Sequence, residues 1–219
     1  MGRDTVLRVD NTAGAVAAAN KGTDLANKGD LEGAIHYYSA AVKADPQMYL
    51  AIYERGTIYV RQHKWESAIA DFNGALLVSP SFLLAAIKRA EANQSRGRYD
   101  LALAELNHVI GLRPMLHSAA FARNDRAWLR ATCPNPAFRN GGQAVEDATA
   151  ACKIDSWDSW HYIDTLAAAY AEAGDFENAI KFEEKAIKKA RKADGVESAQ
   201  QRLALYQQRR PFRLAEQRK

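Results

Sequence analysis

The sequence has few of the residues that disulfide-rich, fibrous or membrane-spanning proteins need. Its 219 residues include only two cysteines, Cys133 and Cys152, and six prolines. Two cysteines cannot form a disulfide framework, and a chain of this length can bury a core without one. No apolar run reaches the roughly 18 to 20 residues of a transmembrane helix. We therefore predict a water-soluble, folded chain without a membrane span.

The N-terminus, "MGRDTVLRVDNTAG", has charges where a secretory signal would need an apolar core. Together with the low cysteine content, this predicts a cytoplasmic protein in a reducing compartment. A secreted or periplasmic origin stays open if a signal peptide has been removed.

Motifs that carry enzyme chemistry are also missing. The sequence has no glycine-rich phosphate loop, no nucleophile elbow and no pair of histidines one helical turn apart. Cys133 ends a helix, where the helix dipole disfavours a thiolate, so we favour a structural role for it. The pair Glu183-Glu184 lies among lysines, which is typical of a solvated helix face. We predict no catalytic residue, cofactor or metal; the alternative is a helical-repeat enzyme with a polar site spread over several repeats.

A 34-residue period dominates the sequence. Pro46, Pro80 and Pro114 are 34 residues apart, and so are Ala34, Ala68 and Ala102. Small residues let two helices of one unit approach closely, large apolar residues fill the groove toward the next unit, and proline marks helix ends. One such unit cannot bury its apolar face alone, so at least about three must stack.

The period, the small residues and the closing proline resemble the tetratricopeptide repeat (TPR). The matching residues in the first two repeats are Gly22, Ala34, Tyr38, Ala41 and Pro46, then Gly56, Tyr59, Ala68, Phe72, Ala75 and Pro80. The resemblance implies an all-α fold, a right-handed solenoid of five helix-turn-helix repeats with a C-terminal capping helix. It also implies a protein-interaction function.

The register gives the expected boundaries. Residues 1–12 form an N-terminal extension, the repeats cover about 13–46, 47–80, 81–114, 115–155 and 156–193, and residues 194–219 form the capping helix and a basic tail. Eight extra residues enlarge the fourth repeat, where "ATCPNPAFRNGG" lengthens the turn between its two helices. Gly141-Gly142 is expected to give this turn flexibility, and Gly174-Asp175 to form a turn that caps the next helix.

The last third resembles a bacterial subgroup of TPR proteins. The resemblance is carried by "AWLRATCPNPAFR", "AVEDATAAC", "YIDTLAAAYAEAGDFENA" and "RLALYQQRRPFR". It implies a bacterial source and brings no known activity.

The first helix of each repeat is expected to line the concave surface. Apolar and aromatic residues are frequent at its non-packing positions, which suggests a groove for an extended or helical peptide with charged residues that fix its orientation. The predicted peptide-binding residues are Leu50, Tyr53, Thr57, Arg61, Leu84, Ile87 and Glu91. The later repeats present Phe121, Trp128, His161, Asp164 and Glu172. An equally weighted alternative is that the apolar residues simply pack against neighbouring helices.

Other functions remain as alternatives. Residues 181–219 carry a net charge of +7, which allows contact with nucleic acid or an anionic surface, although favourable charges at helix C-termini explain it better. A C-terminal carboxylate clamp, as in chaperone-binding TPR proteins, is disfavoured because Lys88 alone has the required charge and Glu54 would repel the ligand. Self-association through an end repeat, and an origin as the interaction region of a longer protein, stay open.

Overall fold

The repeat pattern folds into helices throughout the described chain. The computed structural model describes residues 2–112, 117–190 and 195–215, and these contain α-helices, one short 3-10 helix and no strand. Pro114 and the basic residues Arg191, Lys192, Arg218 and Lys219 lie outside them. The chain divides between Arg96 and Gly97 into two units, so the predicted array of residues 13–193 spans both.

Unit 1 consists of five helices: α1 (Gly2–Asn27), α2 (Leu31–Ala44), α3 (Tyr49–Arg61), α4 (Trp65–Val78) and α5 (Leu83–Ser95). Each helix packs against the next, and α3 also contacts α5. α1 includes most of the predicted N-terminal extension, because its helix begins at Gly2 rather than near residue 13.

Glycines opposite aromatic rings explain the repeat signature in this unit. A Cβ atom on Gly22 would lie 2.9 Å from Cδ1 of the buried Tyr38, and one on Gly56 would lie 2.8 Å from Cε1 of the buried Phe72. Only a residue without a side chain lets the two helices of a pair approach this closely. The buried alanines Ala34 and Ala68 complete the contacts.

Unit 2 begins with α6 (Tyr99–Leu112) and α7 (His117–Thr132), then a 3-10 helix (Pro136–Phe138) and α8 (Gly141–Ile154). It continues with α9 (Trp160–Glu172), α10 (Phe176–Ala190) and α11 (Val196–Gln207). α7 packs against both α8 and α9, and α11 contacts α10 and α9. The predicted turn at Gly174-Asp175 is present: Gly174 has φ +82° and the Asp175 side chain accepts a bond from the Asn178 amide.

The expected flexibility of Gly141-Gly142 is wrong. Both residues belong to the first turn of α8, which the Asn140 side chain caps by accepting a bond from the Gln143 amide. A Cβ atom on Gly141 would lie 2.5 Å from the Ala173 backbone nitrogen and 2.6 Å from the Ala173 Cα. The glycine is needed because the start of α8 contacts the backbone at the end of α9.

We predict that Gly141→Ala lowers the free energy of unfolding by about 1–3 kcal/mol, because backbone atoms cannot move aside as a flexible side chain can. Gly142→Ala is the matched control in the same helical turn, since its Cβ would meet nothing closer than Asn140 Oδ1 at 3.7 Å. The control should be neutral or slightly stabilising. Urea unfolding of the two variants checks this, and equal stabilities would contradict it.

Candidate functional site

The predicted binding residues of unit 1 lie on α3 and α5, and they differ in exposure. Leu50 and Leu84 are 51% and 39% exposed, although both are large and apolar. Tyr53 and Thr57 are half-buried, and Arg61 is exposed. Ile87 is only 3% exposed. Ile87 is therefore buried and is not the exposed anchor that the groove interpretation predicts.

Tyr53 holds the centre of this surface through aromatic contacts. Its ring centroid lies 5.9 Å from that of Phe72 and 4.9 Å from that of Phe82, which also packs edge-on against Tyr49. Aromatic pairs at these separations hold each other in fixed orientations. The Tyr53 ring is thus a rigid element on α3, the helix that also carries the exposed Leu50.

Charged groups border the same surface. Lys88 Nζ donates to Glu91 Oε2 at 2.7 Å, which holds both side chains of this pair on α5. Burial raises the pKa of Glu54. Burial also raises the pKa of the Tyr53 hydroxyl, while the nearby Lys88 acts in the opposite direction. The surface consisting of Leu50, Tyr53, Thr57, Arg61, Leu84 and Glu91 is called the α3–α5 face below.

Arginines on first helices form a set of contacts that the sequence analysis missed. Arg55 on α3 binds Asp71 on α4 through two bonds of 2.7 and 2.8 Å and also donates to Ser39 on α2. Arg126 on α7 binds Asp147 on α8 in the same bidentate manner and donates to Asn107 on α6 at 2.5 Å. Arg89 on α5 donates to Asn73 on α4 at 2.6 Å, and its 34-residue spacing from Arg55 was the available signal.

A buried ionic cluster in unit 2 was also missed. Arg202 on α11 donates to Asp164 Oδ1 on α9 at 2.6 and 2.9 Å, and its Nε lies 3.3 Å from Glu183 Oε1 on α10. The prediction that Glu183 is solvated is wrong, because its side chain is 0% exposed. Burial raises the pKa of Glu183 to about 10, and the charge of the neighbouring Asp164 is the second largest cause. Burial thus favours the protonated, uncharged form of Glu183, whose carboxyl lies beside Asp164 and Arg202.

The C-terminal residues cover the first-helix positions of unit 2. The Phe212 ring lies 5.9 Å from that of Trp128, Arg213 pairs with Glu172, and the Leu214 amide donates to the Thr132 carbonyl at 3.0 Å. The Arg139 side chain, from the turn between α7 and α8, also pairs with Glu172 at 3.3 Å. Three predicted surface residues, Trp128, Asp164 and Glu172, are thus brought together by contacts with the chain's own end.

The two cysteines and the possible metal ligands can be placed within the described residues. Cys133 and Cys152 are free and buried. Burial raises the pKa of both thiols, that of Cys152 to about 12, so neither is a thiolate at neutral pH. Within the described ranges, no three His, Cys, Asp or Glu side chains are grouped to hold a metal ion.

The described helices have the fold of tetratricopeptide repeat proteins, an all-α array of helical repeats. The family model of the tetratricopeptide repeat matches residues 19–76 and 53–114. No curated protein matches the sequence. Among the described helices, none combines the length and apolar character that crossing a membrane requires.

Solved structures of TPR proteins share the fold. A thermophilic TPR protein of Thermus thermophilus is 18% identical with a TM-score of 0.69, and the match covers 89% of this chain and 99% of that one. A tetratricopeptide repeat protein of Parabacteroides merdae is 19% identical with a TM-score of 0.65, covering 90% and 75%. YrrB, a TPR protein with an unusual peptide-binding site, is 20% identical with a TM-score of 0.55, covering 85% and 92%.

Proposed function

We propose that this chain is a non-catalytic protein-interaction scaffold that binds a peptide or helix on the α3–α5 face. One observation carries the proposal: Leu50 on α3 and Leu84 on α5 stay exposed on two helices that contact each other, and aromatic packing holds the Tyr53 ring of α3 in place. Rigid aromatic and aliphatic groups at the centre of a surface are the usual anchors of protein interfaces. Thr57, Arg61 and Glu91 supply polar contacts at the border. YrrB, with its unusual peptide-binding site, is a precedent on the same fold.

The alternative of binding an anionic surface through the basic C-terminal region is less well supported. Arg202 and Arg213 are paired with Asp164 and Glu172, and Lys189 donates to Asp158 at 3.0 Å. These charges already have partners within the chain. Lys181, Lys185 and Lys188 on α10 and Arg209 and Arg210 after α11 are exposed, but contacts between such exposed charges and phosphates weaken steeply as the salt concentration rises.

Two exposed leucines of unit 1 allow a test that leaves the core intact. We predict that Leu50→Glu weakens binding of a peptide selected from a displayed library against the wild-type chain by at least about tenfold, because it places a charge in the apolar contact. Leu77→Glu is the matched control, since Leu77 is 86% exposed on the second helix α4. Fluorescence polarisation measures both affinities, and thermal melting shows that both variants are folded. Equal affinities of the two variants would refute the α3–α5 face as the binding surface.

A further inference from the structure

The last described residues of unit 2 contact its surface as a bound peptide would. Residues 210–215 have no helix or strand structure. Phe212 lies against Trp128, and the Arg202 guanidinium is 5.8 Å from the Phe212 ring and 5.7 Å from the Trp128 ring. Arg213 pairs with Glu172, and the Leu214 amide donates to a main-chain carbonyl. An aromatic anchor, an ion pair and a backbone bond are the contacts by which extended peptides are recognised.

The groups that receive this segment are held in place by other parts of unit 2. Arg139 pairs with Glu172 at 3.3 Å and donates to the carbonyls of Cys133 and Pro134. The acceptors for the C-terminal segment, the carbonyls of Ala131 and Thr132, end α7. Carbonyls at a helix C-terminus have no partner within their own helix. If residues 210–215 left, the surface would keep an aromatic ring, a positioned carboxylate and two carbonyl acceptors.

The segment is attached more weakly than the helix that precedes it. α11 is anchored by Tyr206, which is fully buried, and by the buried Arg202. Arg209 then has φ +57°, which turns the chain sharply after the helix ends. Beyond this turn Phe212 and Leu214 are only half-buried, and the Arg213 side chain is 31% exposed. Release of residues 210–215 therefore does not require α11 to leave α9 and α10.

We propose that the surface formed by Trp128, Thr132 and Glu172 is a binding site for an extended peptide in which an aromatic residue is followed by an arginine. Phe212, Arg213 and Leu214 are the intramolecular occupant that such a partner displaces. The arginine requirement follows from Glu172, and the aromatic requirement from the contact with Trp128 and Arg202. The site lies in unit 2 and does not depend on the α3–α5 face of unit 1.

A tethered occupant has a high effective concentration, so it lowers the apparent affinity for an external peptide. The probe is a fluorescein-labelled peptide of sequence RRPFRLA, and the full chain is compared with a Phe212→Ala/Arg213→Ala double variant. We expect saturable binding to the double variant, at least about tenfold tighter than to the wild type. A probe of sequence RRPARLA should lose this binding. Arg210→Ala is the matched control, because Arg210 is an exposed arginine of the same segment, and it should behave as the wild type.

Circular dichroism and thermal melting establish whether the double variant is folded; if it is not, Arg213→Ala alone is tested by the same criterion. Absence of saturable binding to a folded variant, or equal affinity of variant and wild type, overturns the proposal.

Sedimentation velocity tests whether the C-terminal segment of a second copy of the chain occupies this surface. A wild-type dimer that the Phe212→Ala/Arg213→Ala substitutions abolish would assign the surface to the C-terminal segment of a second copy and overturn the assignment to a partner peptide. If Leu50→Glu does not weaken peptide binding, the α3–α5 face of unit 1 is refuted and the proposed site in unit 2 is unaffected.

Discussion

Replacing Arg202 by alanine is expected to lower the free energy of unfolding of unit 2 by about 3–5 kcal/mol, the usual cost of removing one partner of a buried ion pair. Its guanidinium makes two bonds to Asp164 and lies close to Glu183. It also packs against the rings of Trp128 and Phe212. Without it the Asp164 carboxylate stays in a buried site without its charge partner, and α11 loses a contact with α9.

Urea unfolding followed by tryptophan fluorescence measures this effect. Three of the four tryptophans, Trp128, Trp157 and Trp160, belong to unit 2, so the signal reports chiefly on that unit. Arg210→Ala is the control for loss of a positive charge at an exposed position. Arg202→Lys should be intermediate, because an ammonium keeps the charge without the planar, bidentate geometry. A loss below about 1 kcal/mol for Arg202→Ala would show that the cluster does not hold α11 in place.

Glu183→Gln is expected to have the opposite sign and to stabilise unit 2 at neutral and alkaline pH. The pKa of Glu183 is raised from 4.5 to about 10 in the folded chain. Below pH 4.5 the carboxyl is protonated in both states and folding meets no penalty. Between these values the unfolded chain releases the proton and the folded chain retains it, so stability falls as the pH rises. Because one pKa unit corresponds to about 1.4 kcal/mol, we expect a gain of at least about 2 kcal/mol at about pH 8.

Glutamine suits this site because it resembles the neutral acid. Its amide group carries both a donor that can serve Asp164 and an oxygen that can face Arg202, whose Nε lies 3.3 Å from Glu183 Oε1. The other charged or titratable groups near the cluster, Tyr206 and Arg213, are unchanged by the substitution. The difference between variant and wild type therefore isolates Glu183.

The measurement is urea unfolding of both proteins at about pH 5 and about pH 8, two values inside the window between the unfolded and folded pKa. Glu184→Gln is the matched control, since Glu184 is adjacent and exposed, and its effect on stability should not change between the two pH values. A Glu183→Gln effect that is also independent of pH would mean that Glu183 is ionised in the folded chain.

The repeat architecture could be predicted because its cause is local and periodic. The pairs Gly22 with Tyr38 and Gly56 with Phe72 each lie 16 residues apart, so one helix-turn-helix unit contains the whole pattern. The same holds for the turn at Gly174-Asp175. The position of Ile87 was not predictable to this extent, because its exposure depends on packing beyond its own helix.

Glu183 shows why the rest could not be predicted. The charged residues around it on α10, Lys181, Glu184 and Lys185, are typical of a solvated helix face. Its environment is set by Asp164 and Arg202, each 19 residues away and on different helices. A 34-residue period carries no information about contacts made once in the chain. Similarly, the sequence predicts flexibility at Gly141, because the Ala173 backbone that this glycine contacts is 32 residues further on.

The sharing of Glu172 between Arg139 and Arg213 limits how this chain can be recombined with related proteins. A chimaera that exchanges its C-terminal end after α10 would leave Glu172 and Arg139 facing a foreign sequence. A chimaera that removes the turn before α8 would remove Arg139, which holds Glu172 in the surface that residues 210–215 contact. Transplanting α6 through the tail in one piece, with the junction between Arg96 and Gly97, keeps every member of this arrangement together.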